Sequence, residues 1–321
     1  MSCARAATRV VWPTRRSNLL KVKVYALPAE EGWICDQLVE DWKAYSGMSC
    51  DRAVDADVVW LLSDRRWRSL DWHALSGKKV VTTVHHIVPE KFDRAARMDF
   101  AARDSLTTLY HVYNQRTLDF IRPLTKKPIH LVPYWANQNL WKRSELNQRE
   151  LREKHGLHET MTIVGSFQRD TEGHDLKSPK LEKGPDLFVE YLIEKKRVGW
   201  STLHVLLAGW RRQYVVGRLK EAGISYTYVE RPSQDKLCEL YQTLDLYAVT
   251  ARHEGGPQAL IECGLLGVPV ISTPVGIAEQ VLPSSAINTD VTMAVPTIPN
   301  VESMKLPNGM DGYRRMFESL R

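Results

Sequence analysis

Residues Leu244–Leu282, LDLYAVTARHEGGPQALIECGLLGVPVISTPVGIAEQVL, decide the reading of this chain. Leu244–Val249 is an apolar run of strand length, followed by a short polar loop. From Pro257 the pattern is helical until Gly267, which closes the helix, and Val268–Ser272 is a second buried strand. Pro257 suits the first helical position, where a missing N–H costs nothing, and Gly255 and Gly256 leave the backbone open to another molecule. A helix start of this kind offers unpaired N–H groups and positive potential to an anion such as a diphosphate. Glu254 stands in the loop; Glu262 lies one to two turns into the helix, on the face of Gln258. A carboxylate there suits sugar or ribose hydroxyls, not phosphate. On spacing alone, an ordinary βαβ unit with two solvated acids fits equally well.

Outward from this stretch the chain alternates strands and helices. Strands are expected at Lys21–Pro28, Val54–Asp64 and Leu75–Pro89, with an amphipathic helix from Glu30 to Tyr45 presenting Trp33, Ile34, Leu38 and Trp42. A short strand and a helix fit 104–124, and a strand running into a loop fits 126–143. MTIVGSFQ (161–168), LHVLLAGW (203–210) and ISYTYVE (224–230) continue the alternation, interrupted by a polar insertion over 169–184. Such alternation means parallel sheets, whose ligands bind beyond the carboxyl ends of the strands. Ser63, Asp64, His85 and His86 sit at ends of that kind.

With 321 residues the chain suits two domains of roughly 150 residues. The expected division is a basic tail (1–20), a first α/β domain (21–150), a second (151–305) and a terminal helix (306–321) returning to the first. The tail, with four arginines and no acid, reads as a loose extension or a targeting presequence. No apolar run reaches the roughly 18 residues of a membrane span. Five scattered cysteines without CxxC spacing point to reduced thiols and a cytoplasmic setting. Residues 1–150 hold 24 Lys+Arg against 17 Asp+Glu, a net +7, while residues 151–321 hold 20 against 21. That excess favours an anionic acceptor or a peripheral membrane contact on the first domain. Nucleic acid is set aside, since no basic helix, RNP-like pattern or zinc-finger spacing is present.

Strand, EGG, helix, ECGLLGVPVIST and TPVGIAEQV together resemble the donor-site signature of retaining glycosyltransferases of family 4, which have the GT-B fold. Glu254, Glu262, Gly267, Val268, Pro269, Val270, Ile271, Gly276 and Glu279 fall in register with it. Pro133, Asn137 and Trp141 are similar to the interdomain crossover, although Trp135-Ala136-Asn137 replaces the usual Gly-Val-Asp. The resemblance implies two Rossmann-like domains facing each other across a cleft. It also implies transfer of a sugar from a nucleotide-diphosphate sugar, with retention of anomeric configuration and without cofactor or metal. The acceptor would be a sugar, lipid or small-molecule hydroxyl.

The site residues follow from the resemblance. Glu262 would hold the ribose diol, a carboxylate being able to accept two hydrogen bonds. Glu254 would stand near the transferred sugar, and Lys183, in EKGPDLF, would hold donor phosphate. The N–H groups of Gly256, Gln258 and Ala259 would meet sugar and phosphate. Gly165 closes the strand where the family places an Arg next; this chain has Ser166 there, so Arg169, or Lys177 or Lys180 of the insertion, would supply the second cation. Arg231 follows a strand where the family grips the nucleobase through main-chain groups. Strand alternation lets only one of His85 and His86 face the cleft, and His85 is preferred. No Asp-x-Asp motif of metal-dependent type is present, Asp55 and Asp57 being read as turn residues. Trp67 and Trp72 are candidates for an acceptor platform or for core cover. Two rivals stay open: a nucleotide-sugar epimerase of the same architecture, and a non-catalytic nucleotide-sugar-binding protein.

Overall fold

The computed structural model describes residues 22–30, 34–63 and 66–321; the basic tail, Lys21, Trp33 and Asp64 lie outside them. Five parallel strands form the first sheet: β1 (Val24–Ala26), β2 (Val58–Leu61), β3 (Lys79–Val84), β4 (Leu109–Val112) and β5 (Ile129–Leu131). They lie side by side in chain order. A parallel strand covered on both faces must be apolar throughout, and Val58–Leu61 is buried at every position. The crossovers carry α1 (Ile34–Tyr45), α2 (Arg94–Asp104) and α3 (Gln115–Ile121). Helix α1 buries Cys35, Leu38, Val39 and Trp42, a 3.6-residue stripe.

Two helices were not anticipated. Helix α2 is rich in Ala and Arg, with little apolar periodicity to mark it, and starts at Asp93, whose side chain accepts from the Ala96 N–H. Helix α4 (Gln148–Lys154) lies in the polar run read as a linker. Asn147 and Glu150 cap each other's backbone there, a capping box legible in the letters N-x-x-E.

The second sheet runs in the order β10–β9–β6–β11–β12. Its strands are β6 (Thr162–Ser166), β9 (Leu203–Gly209), β10 (Ser225–Glu230), β11 (Leu246–Val249) and β12 (Val270–Ser272). The polar insertion folds as an antiparallel hairpin, β7 (Thr171–Glu172) with β8 (Ser178–Pro179). Helices α5 (Pro185–Arg197), α6 (Gln213–Glu221), α7 (Gln234–Gln242), α8 (Gln258–Leu266) and α9 (Ala278–Val281) complete the half. Strand order turns about β6, so a crevice opens at the carboxyl ends of β6 and β11.

One apolar core runs through both halves. Helix α10 (Asp311–Glu318) reaches the first sheet, where Phe317 lies 5.2 Å from both Trp42 and Trp60, centroid to centroid. Trp67 is buried with Leu61, Leu75 and Val80, and the Trp72 indole N–H donates to the Trp67 carbonyl at 2.8 Å. Trp67 thus covers core, and Trp72, half-buried, packs against the same cluster. Among the described residues no helix is long and apolar enough to cross a membrane. Residues 1–21 carry five of the seven excess positive charges and lie outside the described residues, leaving +2 over residues 22–150.

Candidate functional site

The two sheets meet across a cleft of ≈540 Å³, bordered by α1, the crossover at Trp135–Trp141, the loop after β6, Lys183, and the start of α8. Lys183 ends a tight turn before α5, and Gly184 follows in the left-handed region at φ 60°. A β-carbon on Gly184 would overlap the Thr250 carbonyl, so only glycine lets this turn press against the end of β11. The turn aims the Lys183 ammonium at Glu254, and the two form an ion pair with both side chains largely buried. Burial pushes the Glu254 carboxyl up, but the charges of Lys183, His86 and Lys180 outweigh it and hold Glu254 below its ordinary range. It is a carboxylate at neutral pH.

Helix α8 starts one residue later than expected. Pro257 takes the N-cap place at φ −58° and ψ 109°, because its ring fixes φ while its ψ remains extended; Gln258 is the first helical residue. The Leu260 N–H turns back to the Pro257 carbonyl at 2.9 Å, and the backbone N–H groups of Gln258 and Ala259 border the cleft. The side-chain amide nitrogen of Gln258 is buried there without a partner. One turn on, Glu262 accepts a hydrogen bond from the Tyr241 hydroxyl of α7. Burial pushes the Glu262 carboxyl up to about 7, and the single hydrogen bond from Tyr241 only partly opposes it. Burial and neighbouring charge therefore push the two carboxyls apart, Glu254 below its ordinary range and Glu262 up to about 7.

The glycines before α8 have another reason than ligand access. A β-carbon on Gly255 would stand 2.5 Å from the His85 carbonyl, and one on Gly256 would overlap the Tyr134 ring, 2.8 Å from its Cδ2. The first domain itself occupies the space. Tyr134 is stacked on Tyr113 with centroids 3.5 Å apart and cannot yield, and Asn114 donates to the Gly255 carbonyl at 2.6 Å. Gly256→Ala is accordingly expected to lower stability by about 1–3 kcal/mol, the usual cost of overpacking. Thermal unfolding of the variant beside the parent measures it; an unchanged midpoint would show that the domains separate freely here.

His85 has no nitrogen left for a ligand. The Leu62 carbonyl can only accept, so Nε2 donates to it at 2.8 Å, and Nδ1 then accepts the Tyr134 hydroxyl at 2.9 Å. His86 is the histidine whose field reaches Glu254 and Lys183; its Nδ1 is buried without a partner, and burial pushes its imidazole down to about 4. Both histidines follow the end of β3, and neither is among the residues that border the cleft.

Gly165 lies under the β11 loop, where a β-carbon would overlap Leu244 Cδ1, so it serves packing. Ser166 meets Arg212, whose guanidinium donates to the Ser166 carbonyl at 2.7 Å and its hydroxyl at 3.1 Å and pairs with Asp170 at 2.6 Å. That arginine is fully buried, bracing the loop after β6 from beneath. Arg169 and Arg231 do not border the cleft. With Arg211 they gather on the Trp210 ring, guanidinium to centroid 5.3, 4.9 and 5.3 Å. The cation next to Lys183 is Lys180, paired with Glu182 at 3.4 Å, while Lys177 lies on the exposed hairpin. Tyr241 and Arg212 were missed from sequence, and His86 was passed over for His85. Each acts through a partner distant in the chain, with no local signal to mark it. Among the described residues no group of three or more His, Cys, Asp or Glu could hold a metal ion.

Residues 176–296 match the family model described as glycosyl transferases group 1. HepE of Anabaena, solved with UDP and glucose, shares the fold at a TM-score of 0.68 and 14% identity, covering 85% of this chain and 87% of that one. A glycosyltransferase of Rickettsia africae ESF-5 does so at 0.64 and 12%, over 94% and 99%. WaaG, a glycosyltransferase involved in lipopolysaccharide biosynthesis, does so at 0.59 and 13%, over 94% and 92%. No curated protein matches the chain in sequence. These likenesses speak for the GT-B fold, and the family match over the second half speaks for the chemistry. The chain has the GT-B fold, and residues 176–296 of its second half match the glycosyl transferases group 1 model.

Proposed function

We propose that the chain moves a sugar from a nucleoside diphosphate sugar to a hydroxyl acceptor, with retention and without a metal ion. One observation carries this reading: the Lys183–Glu254 pair stands beside the start of α8, with Glu262 on the same helix and the same cleft. The diphosphate would take Lys183 and the Gln258 and Ala259 N–H groups, and the ribose diol would take Glu262. As the anomeric C–O bond breaks, the diphosphate leaves with the electron pair, and fixed positive charge aimed at it lowers the barrier. Retention rests on the register of Glu254, Glu262 and GVPVI with the family 4 pattern. HepE has been solved with UDP-glucose, which makes uridine nucleotides the first to try. The cysteines Cys50, Cys238 and Cys263 are free thiols, in keeping with a reducing, cytoplasmic setting.

Nucleoside diphosphates are expected to stabilise the protein in the presence of EDTA, by about 2.7 kcal/mol at 100 times the dissociation constant. A panel of uridine, guanosine, adenosine and thymidine diphosphates in a thermal-shift assay tests it. Stabilisation by none of them removes the donor site; stabilisation only with divalent metal removes the metal-free part.

A further inference from the structure

The cleft that holds Lys183, Glu254 and Gln258 has a first-domain wall that the donor reading leaves unused. Helix α1 brings Ile34, Gln37, Leu38 and Asp41 to it. Two runs of contacts pin this wall to the reacting centre. The Tyr134 ring stands where a β-carbon on Gly256 would go, two residues from Glu254, and its neighbour Trp135 donates its indole N–H to Asp41 at 3.0 Å. On the preceding turns of α1, Cys35 Sγ lies 3.7 Å from His85 Nε2, and the His85 carbonyl closes on the Gly255 position. A ligand resting on Gln37 and Asp41 therefore shares one cavity with a sugar held beside Glu254.

The charge on this wall is of one sign. Asp41 is 4% exposed and accepts from Gln37 Nε2 at 2.9 Å, Asn137 Nδ2 at 2.7 Å and the Trp135 indole. All three donors are neutral, so nothing cancels the carboxylate, which repels another anion and favours a group that donates. It also fixes the amide beside it. A carboxylate only accepts, so the Gln37 nitrogen must turn to Asp41, and Oε1, which receives no hydrogen bond from the described residues, is left for the cleft. Around the whole cleft the described residues set one cation, Lys183, against three carboxyls, Asp41, Glu254 and Glu262. A donor diphosphate takes that cation, and none remains for a second phosphate.

We propose that the acceptor is an uncharged hydroxyl compound lying on α1, with a hydroxyl donating to Gln37 Oε1, and that Asp41 turns phosphorylated acceptors away. The proposal deepens the transferase reading above and rests on it. It reverses the anionic acceptor expected from the basic first half, because no described Lys or Arg of that half borders the cleft. Exposed Ile34, on the same wall, suits the C–H face of a sugar ring. In the transfer, the acceptor oxygen bonds to the anomeric carbon, the bond from that carbon to the diphosphate breaks, and the hydroxyl proton ends on the departing phosphate.

Saturation-transfer NMR with glucose, mannose, fructose and N-acetylglucosamine, each beside its 6-phosphate, tests the proposal in a saturating nucleoside diphosphate. At least one free sugar is expected to bind, about tenfold or more tightly than its phosphate. Gln37→Ala is expected to weaken that sugar about tenfold, with nucleotide affinity within about twofold. Asp41→Asn should bring sugar and phosphate to within about threefold of each other, a change of selectivity that loss of packing would not produce. Should that variant not fold, Gln37→Lys, at a half-buried side chain, puts a cation on the same wall and is expected to favour the phosphate. Tighter binding of a 6-phosphate by the parent, binding of none of the free sugars, or parental sugar affinity in Gln37→Ala would each overturn the proposal. So would a selectivity that neither charge change moves. Nucleotide binding without sugar preference sinks this proposal alone; absence of nucleotide binding takes the donor-site reading with it.

Discussion

Glu262→Gln is expected to weaken nucleoside diphosphate binding about a hundredfold while making the free protein more stable above pH 7. Two hydrogen bonds from a ribose diol to a charged acceptor are worth roughly 1.5–3 kcal/mol each, and a neutral amide keeps only part of that. The stability gain follows from the raised carboxyl. An unfolded Glu ionises near its ordinary 4.5, whereas folded Glu262 holds its proton up to about 7. Between those values the folded state binds more protons, so stability falls as pH rises through the window and is level above it. The full loss is at most about 3 kcal/mol, and Gln, which still accepts from Tyr241, does not suffer it. Parental nucleotide affinity should also fall below about pH 7, by up to tenfold per pH unit, beyond any change the Gln variant shares. Calorimetric titration and unfolding at pH 5.5 and 8 separate the two effects. A variant with parental affinity would detach Glu262 from the donor.

Glu254→Gln is expected to cut turnover about a hundredfold, near 2.7 kcal/mol of barrier, with nucleotide affinity unchanged or improved. The carboxylate is buried, charged, and committed to Lys183 in the free protein. Without it the ammonium is released to the diphosphate, so ground-state binding does not suffer. The loss falls on the step in which positive charge develops at the sugar, where a nearby carboxylate is worth most. Steady-state kinetics with a donor that binds the parent, beside calorimetry with the nucleotide alone, give kcat and affinity separately. A parental kcat, or a loss confined to KM, would make Glu254 a structural partner of Lys183 and nothing more.

Both glutamates, the lysine and the helix they surround were legible in the letters, because their signals are local. EGGPQ followed by an apolar helix and GVPVI encodes strand, loop, helix and strand within forty residues, and KGP announces a helix start with a glycine before it. The alternation of apolar runs gave two parallel sheets for the same reason, since a strand buried on both faces must write itself as an unbroken apolar run. Helix α4 was legible too, through Asn147 and Glu150, but a polar surface hides a helix from any reading built on apolar period.

What the tertiary structure alone decided are pairings between distant residues. Gly255 and Gly256 are small because His85 and Tyr134, more than 120 positions away, press on them. His86, not His85, is coupled to Glu254 because Leu62 and Tyr134 consume both nitrogens of His85. Arg169 and Arg231 look like phosphate and base contacts in the sequence, yet they gather on Trp210, outside the residues that border the cleft. The protonation of Glu262 is likewise a tertiary property. A glutamate on a helix carries no mark of its own burial, and its proton near neutrality comes from packing against α7, where the Tyr241 hydroxyl donates to it. Sequence periodicity fixes which face of an element is apolar; only the assembled chain fixes what meets that face, and with it the charge state of the groups that do the chemistry.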